Sequence, residues 1–303
     1  MVKYMTKSLV TGGAGFIGSH IVERLVGLGH EVVVIDNETA NNEKFYHYDS
    51  VKYFKEDIRD YKNTRQIYDK VDYVFHLAAE SRLQPAIENP IDAVDRNCVG
   101  SCVVLQCSRE ASVKRVVYSS TSSGYGNNIH PNVETQPDDC LNPYSASKIS
   151  AEKFCKMYSD LYELETICLR YFNVYGERSP KVGQYAPVIS IFSRQRSAGE
   201  PLTIVGDGEQ RRDFIHVSDV ANANIIAATK EIDSSYFGQV FNVGSGKNIT
   251  VQEIANLISP HQVYLPSRIG EVKVSLANID KIKTVFGWEP QVDLIEWISK
   301  SLN

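Results

Sequence analysis

Short apolar, β-branched runs alternate with stretches of helical periodicity through the first half of the chain. Ser8-Leu9-Val10 runs into a cluster of glycines, Ser19 to Leu28 repeats with a helical period and closes at Gly29, and Val32 to Ile35 ends at Asp36. Val71 to Leu77, Val116-Val117-Tyr118 and Thr166 to Leu169 repeat the theme. These runs do not alternate apolar with polar positions, so both faces of each strand must be covered, which predicts a parallel sheet between two layers of helices. The expected fold class is α/β, doubly wound, with ligands beyond the carboxyl ends of the strands.

After about Phe172 the pattern changes. Asn173 to Gln184 carries polar, Gly and Pro punctuation; Ala186 to Ala198 predicts a helix and Pro201 to Val205 a short strand. Asp219 to Thr229 predicts a helix opened by Ser218 or Asp219, and Gln239 to Val243 a strand returning to the sheet. The remainder predicts two more helices and a loop around Pro266 to Glu271. The chain is therefore expected to divide at about residue 172, with return segments near 213–243, and a smaller, interleaved α/β lobe over 173–303.

Composition narrows the classes of partner. A length of 303 residues permits a large domain plus a smaller lobe. A net charge of -5 without a basic run argues against nucleic acid, and no apolar stretch is of membrane-spanning length. Met1 to Lys7 is short and polar, so no signal peptide is expected. The six cysteines form no Cys-x-x-Cys pair and no ligand grouping with the seven histidines, which predicts no metal and a reduced, cytoplasmic protein. Cys98, Cys102 and Cys107 are expected on a buried or subunit-facing helix surface.

Two motifs carry chemistry. Gly13-x-Gly15-x-x-Gly18 and the overlapping Gly12-x-x-Gly15-x-x-Gly18 follow a strand and open a helix. That turn lets backbone amides approach a pyrophosphate at a helix N-terminus. Asp36 ends the next strand, where a carboxylate would accept the adenosine ribose hydroxyls and repel a 2′-phosphate, favouring NAD over NADP. The sheet is thus expected to be Rossmann-type, with residues 1–172 as its NAD-binding domain. Tyr144 and Lys148 stand one helical turn apart. A free phenol with a pKa near 10 is a poor base at neutral pH, and a neighbouring ammonium together with a nicotinamide cation stabilises the phenolate.

With these motifs the chain resembles the extended short-chain dehydrogenases/reductases, and within them the nucleotide-sugar epimerases of the UDP-glucose 4-epimerase kind. The resemblance rests on Thr11 to Gly18, Asp57 to Asp60, His76 to Ala79, Asn97 to Gly100, Tyr118 to Gly126, Tyr144 to Lys148, Leu169 to Gly176, Gly206 to Gly208, Arg211 to Val217 and Arg268 to Glu271. It implies a cofactor channel lined by Gly12, Gly15, Phe16, Ile17, Gly18, Asp36, Asn37, Leu77, Ala78, Ala79, Ser119 and Tyr171, with Asp57 and Ile58 flanking the adenine. Asn97 is implied as a structural and cofactor-side residue, and Tyr144 and Lys148 as cofactor contacts as well as catalysts.

The segment Ser119 to Gly126 bears on the reaction. The resemblance places at Thr121 a hydroxyl that meets the reacting sugar hydroxyl. Similar sugar dehydratases follow it with Asp and Glu, and similar uronate decarboxylases carry a Glu two positions on; here Ser122 and Ser123 stand instead, and neither is an acid or base near neutral pH. Epimerisation by Thr121, Tyr144, Lys148 and NAD is what remains. Asn173, Arg212 and Arg268 resemble the family's diphosphate contacts, a task that suits the planar fork of arginine. Ser122 is implied near the sugar and Glu271 at the nucleotide ribose; Asp213 and His216 read as structural.

Ser275, seven positions after Arg268, resembles the small residue of epimerases that admit an N-acetylhexosamine as well as a hexose. Arg82, where many long-chain 4-epimerases have a nearby Lys, is placed to face the substrate and keeps a uronic acid open. The expectation is a UDP-sugar 4-epimerase, a homodimer pairing Asp95 to Glu110 and Ser145 to Leu161. The rivals are a UDP-glucuronate 4-epimerase or decarboxylase and a non-catalytic NAD-sensing protein.

Overall fold

The structure is a computed structural model and describes residues 5–40, 44–181, 186–267 and 272–301. In chain order it opens with β1 (Lys7–Thr11), α1 (Phe16–Gly27), β2 (Glu31–Ile35), β3 (Lys52–Phe54), α2 (Tyr61–Thr64) and β4 (Tyr73–His76). Then come α3 (Leu83–Glu88), α4 (Pro90–Val94), α5 (Gly100–Glu110), β5 (Arg115–Thr121), α6 (Pro143–Tyr162), β6 (Glu165–Tyr171) and β7 (Asn173–Tyr175). The second half holds α7 (Val188–Ser197), β8 (Leu202–Val205), β9 (Arg211–Arg212), β10 (Phe214–His216), α8 (Val217–Thr229), β11 (Gln239–Val243) and β12 (Ile249–Thr250). It closes with α9 (Val251–Ile258), β13 (Gln262–Leu265), α10 (Asp280–Phe286) and α11 (Leu294–Ser301).

Seven strands form one sheet in the order β11-β6-β5-β4-β1-β2-β3, and each pairing is parallel. This is the α/β Rossmann-type sheet expected from the unalternated apolar runs. The order reverses between β1 and β4, which opens a crevice at their carboxyl ends. Successive residues serve opposite faces. Val117, Ile167 and Leu169 join the cluster under α1, α8 and α10, whereas Val116 and Cys168 join the cluster under α5 and α6. Each such side chain, fully buried, contributes about 1.5–3 kcal/mol. A third cluster, with Tyr175, Phe192, Leu202, Ile204 and Ile254, packs β7, β8, α7 and α9 against one another.

Some expected boundaries move. The first helix begins at Phe16 rather than Ser19, because it starts directly from the glycine turn with Gly15 as its cap. The helix expected to open at Ser218 or Asp219 begins at Val217 and is capped by His216, whose ring nitrogen accepts from the Ser218 amide at 3.2 Å. Asp219 instead accepts the amides of Gln291 and Val292, both at 3.0 Å, and so ties the C-terminal segment to α8. Three helices, not two, follow β11 among the described residues. The strand β3 pairs with β2 although its sequence carries no long apolar run. Cys107 is buried in the core; Cys98 and Cys102 are half-buried.

Candidate active site

The glycine turn is shaped by close approach. Gly12 has a φ of +72°, and a Cβ there would stand 2.8 Å from the Ala78 amide. A Cβ on Gly18 would run into the Gly12 carbonyl oxygen. Only glycine permits this crossing of β1, α1 and the end of β4. No side chain caps α1 and no acid stands in its first turn, so its N-terminal amides face the crevice uncompensated. Asp36, at the end of β2, accepts from the Ala14 amide at 3.0 Å and the Glu38 amide at 2.9 Å. Burial pushes its carboxyl upward while these bonds pull it down.

A cleft of about 740 Å³ opens above the strand ends. Its lining includes Gly12, Gly15, Phe16, Ile17, Gly18, Asp36, Asn37, Asp57 and Ile58 on one side. Leu77, Ala78, Ala79, Arg82, Ser119, Tyr144, Lys148 and Tyr171 line the other. Asn37 Nδ2 donates to Asp57 at 3.2 Å, and the Arg59 guanidinium beside Asp57 holds its carboxyl down to about 2. The Tyr171 and Ser119 hydroxyls stand 2.8 Å apart. An amide-lined turn, an uncapped helix N-terminus and a ribose-facing carboxylate fit a dinucleotide such as NAD.

Asn97, expected as a structural and cofactor-side residue, is buried and does not itself line this cleft. It is buried in a π-turn, Asp95–Val99, between α4 and α5. Its Oδ1 accepts the Glu80 amide at 2.7 Å, and its Nδ2 donates to the Glu80 carbonyl and the Ser147 hydroxyl, both at 2.9 Å. Asn97 thus ties the loop after β4 to α6. Glu80 itself, missed by sequence reasoning, lines the cleft and meets Arg82 Nε at 3.4 Å. The only sequence signal was its place directly after Ala78-Ala79.

Asn142 launches α6: its side chain accepts the Ser145 amide at 2.9 Å, and Pro143 occupies the first helical position. The helix then presents Tyr144 and Lys148 on one face into the cleft. Thr121 ends β5, and its Oγ1 accepts the Ser123 amide at 3.1 Å. Its side chain also hydrogen-bonds the Tyr144 hydroxyl. Burial pushes the Tyr144 phenol up; the Thr121 hydrogen bond draws it back, and Glu80 raises it further. Burial lowers the Lys148 ammonium to about 8.

A second cluster lies beside the cleft. Asn173 Nδ2 donates to the Asp213 carbonyl at 2.8 Å and to Ser275 Oγ at 3.1 Å, and the Ser275 hydroxyl also accepts the Asp213 amide at 3.3 Å. Asp213 is fully buried; its carboxylate accepts the amides of Ser245, Gly246 and Ala277 and the Ser245 hydroxyl. Arg212 donates to the carbonyls of Arg211 and Lys273 at 3.0 and 3.2 Å. Thr121, Ser122, Asn173, Arg212 and Ser275 do not line the 740 Å³ cleft. Arg268 and Glu271 lie outside the described residues.

The family model described as "NAD dependent epimerase/dehydratase family" matches residues 8–244. A solved UDP-glucose 4-epimerase of Thermotoga maritima, with UDP-glucose, is 34% identical with a TM-score of 0.90, covering 98% of this chain and 100% of that one. A UDP-N-acetylglucosamine 4-epimerase of Methanobrevibacter ruminantium, solved with UDP-N-acetylmuramic acid, is 33% identical with a TM-score of 0.89, covering 98% and 99%. A UDP-glucuronate 4-epimerase of Thermodesulfobacterium geofontis is 32% identical over 97% of this chain and 94% of its own.

Proposed function

This chain belongs to the NAD dependent epimerase/dehydratase family, and from that premise we propose that it is a UDP-sugar 4-epimerase acting on the UDP-glucose/UDP-galactose pair and on its N-acetylhexosamine counterpart. The observation that carries the reading is Tyr144 and Lys148 on the cleft wall with Thr121 hydrogen-bonded behind Tyr144, and serines at 122 and 123 where eliminating or decarboxylating chemistry would need an acid or base. When bound, NAD supplies the hydride acceptor and donor for carbon 4, held by the glycine turn, Asp36 and the strand ends.

Tyr144, as phenolate, accepts the proton of the sugar 4-hydroxyl, directly or through Thr121, and returns it once the sugar has presented its other face. Lys148 stabilises the phenolate by charge. Asn173 and Arg212 steady the diphosphate. Ser275, hydrogen-bonded to Asn173 and the Asp213 amide, supports the N-acetylhexosamine part of this reading because it is a small side chain rather than a ring. The second reading is a UDP-glucuronate 4-epimerase. Arg82 on the cleft wall favours it, although the sugar carboxylate would compete with Glu80 for that guanidinium.

Proton NMR of the NAD-loaded protein with UDP-glucose and, separately, UDP-N-acetylglucosamine tests the reading. A galacto anomeric signal is expected from both, and its absence from both overturns the substrate assignment. Tyr144→Phe should lower turnover by about 10²–10⁴-fold while leaving UDP-sugar binding in place.

A further inference from the structure

Lys148 is only 4% exposed, yet its ammonium forms no ion pair among the described residues. Glu152, one turn further along α6, is already committed. It binds Arg170 through Nε and Nη2 at 2.8 and 2.7 Å and takes the Ser120 hydroxyl at 2.5 Å. A buried cation with no paired carboxylate needs some other compensation.

That compensation is an aromatic face. Lys148 Nζ stands 4.5 Å from the centroid of the Tyr118 ring, which is itself 1% exposed. Tyr118 is fixed from both ends: its hydroxyl donates to the Lys148 carbonyl at 3.2 Å, and its ring lies 5.5 Å from that of His76. His76 is anchored in turn, with its ring nitrogens 2.7 Å from Thr11 Oγ1 and 2.9 Å from Ser101 Oγ. Burial holds His76 neutral, its pKa lowered to about 3, so it brings no competing cation. The other titratable groups around Lys148 are Tyr144, Glu152 and Cys155 on α6 and Cys168 on β6.

We propose that Tyr118 is a positioning residue for the reaction: its ring face keeps the Lys148 ammonium charged and aimed into the cleft, and through Lys148 it governs how readily Tyr144 ionises. The inference rests on Tyr144 and Lys148 as the proton-handling pair. Removing the ring lowers the affinity of Lys148 for its proton, and a less charged Lys148 makes the Tyr144 phenolate harder to form. The pH–rate profile should then narrow from both sides, the acid limb rising as the alkaline limb falls.

The test is a series at position 118 in the NAD-loaded protein, reading kcat against pH. Tyr118→Phe keeps the ring and should leave both limbs in place, whereas Tyr118→Leu should move each inward by about one pH unit. Because Leu also removes core packing, mono-, di- and trifluorinated phenylalanines at the same position give the decisive measurement. They keep the ring's shape and drain its face of charge, so the limbs should converge stepwise with each fluorine. A second readout needs no turnover: the ultraviolet absorbance of Tyr144 ionisation, taken as the difference from Tyr144→Phe, should shift upward along the same series. Limbs and absorbance that stay fixed across the fluorinated series overturn the role of Tyr118. Full turnover in Tyr144→Phe would instead overturn the proton-handling pair on which it rests.

Discussion

Asp213 shows how much one buried carboxylate organises. It takes three backbone amides and one hydroxyl from two separate segments, residues 245–246 and 277. Asp213→Ala would leave those donors unpaired in the core and should cost about 3 kcal/mol, read as a shift of the urea midpoint without a change of slope. Its neighbour Asn173 would lose its alignment, so KM should rise more than kcat falls. The motif Arg212-Asp213-Phe214 was visible in the sequence, and so was the structural reading of Asp213. The partners were not, because Ser245 and Ala277 come from loops without a periodic pattern. Asn97 was legible as structural, but its partners Glu80 and Ser147 were not, because they come from a separate loop and helix.

Among the elements, α1 and α6 do opposite things with their N-termini. The first leaves its amides open behind Gly15, and the second closes its own with Asn142. Asn142→Ala should therefore cost about 1 kcal/mol of stability and, by fraying the turn that carries Tyr144, also lower kcat; thermal unfolding and initial rates read the two effects. Gly18→Ala should abolish NAD retention in the folded protein, since the added methyl meets the Gly12 carbonyl. Equilibrium dialysis against NAD checks this. The long apolar strands of the sheet were legible because two buried faces leave no freedom of residue type. The short pairs were not: β7 with β10 and β12 with β9 have two or three residues each, set by the returning chain rather than by pattern. The cap at His216 escaped for a similar reason, since a ring nitrogen acting as acceptor is a rarer solution than Ser or Asp.

At the scale of the whole molecule, acid should unfold the protein partly through its buried rings. His76, held down to about 3 against an ordinary 6.5, refuses a proton that the unfolded chain accepts, so its contribution is lost as pH falls through that window. Asp213, raised from 3.8 to about 6, works with the opposite sign, its folded form keeping a proton that the unfolded chain releases. Between about pH 4 and 6 the two slopes offset each other, and below 4 only the histidine remains. His76→Asn should remove up to about 1.4 kcal/mol of acid sensitivity per pH unit relative to the parent, measured by urea titrations at fixed pH. Ile91 is 81% exposed and Leu161 62%, with Val94, Val99 and Met157 also open on the same α4–α6 side. We expect this surface to join two copies of the chain, with Leu161→Glu yielding monomers by sedimentation and a dimer-sized parent supporting the pairing.

The outermost strand on one edge of the sheet, β11, is supplied by residues 239–243 and lies against β6, which ends at Tyr171. A ribosome releases β6 well before it has made the strand that covers it. Until about seventy further residues emerge, Ile167, Leu169 and their open backbone form a sticky margin on the nascent chain. Synthesis halted near residue 172 should leave an aggregating fragment rather than a free-standing nucleotide-binding unit.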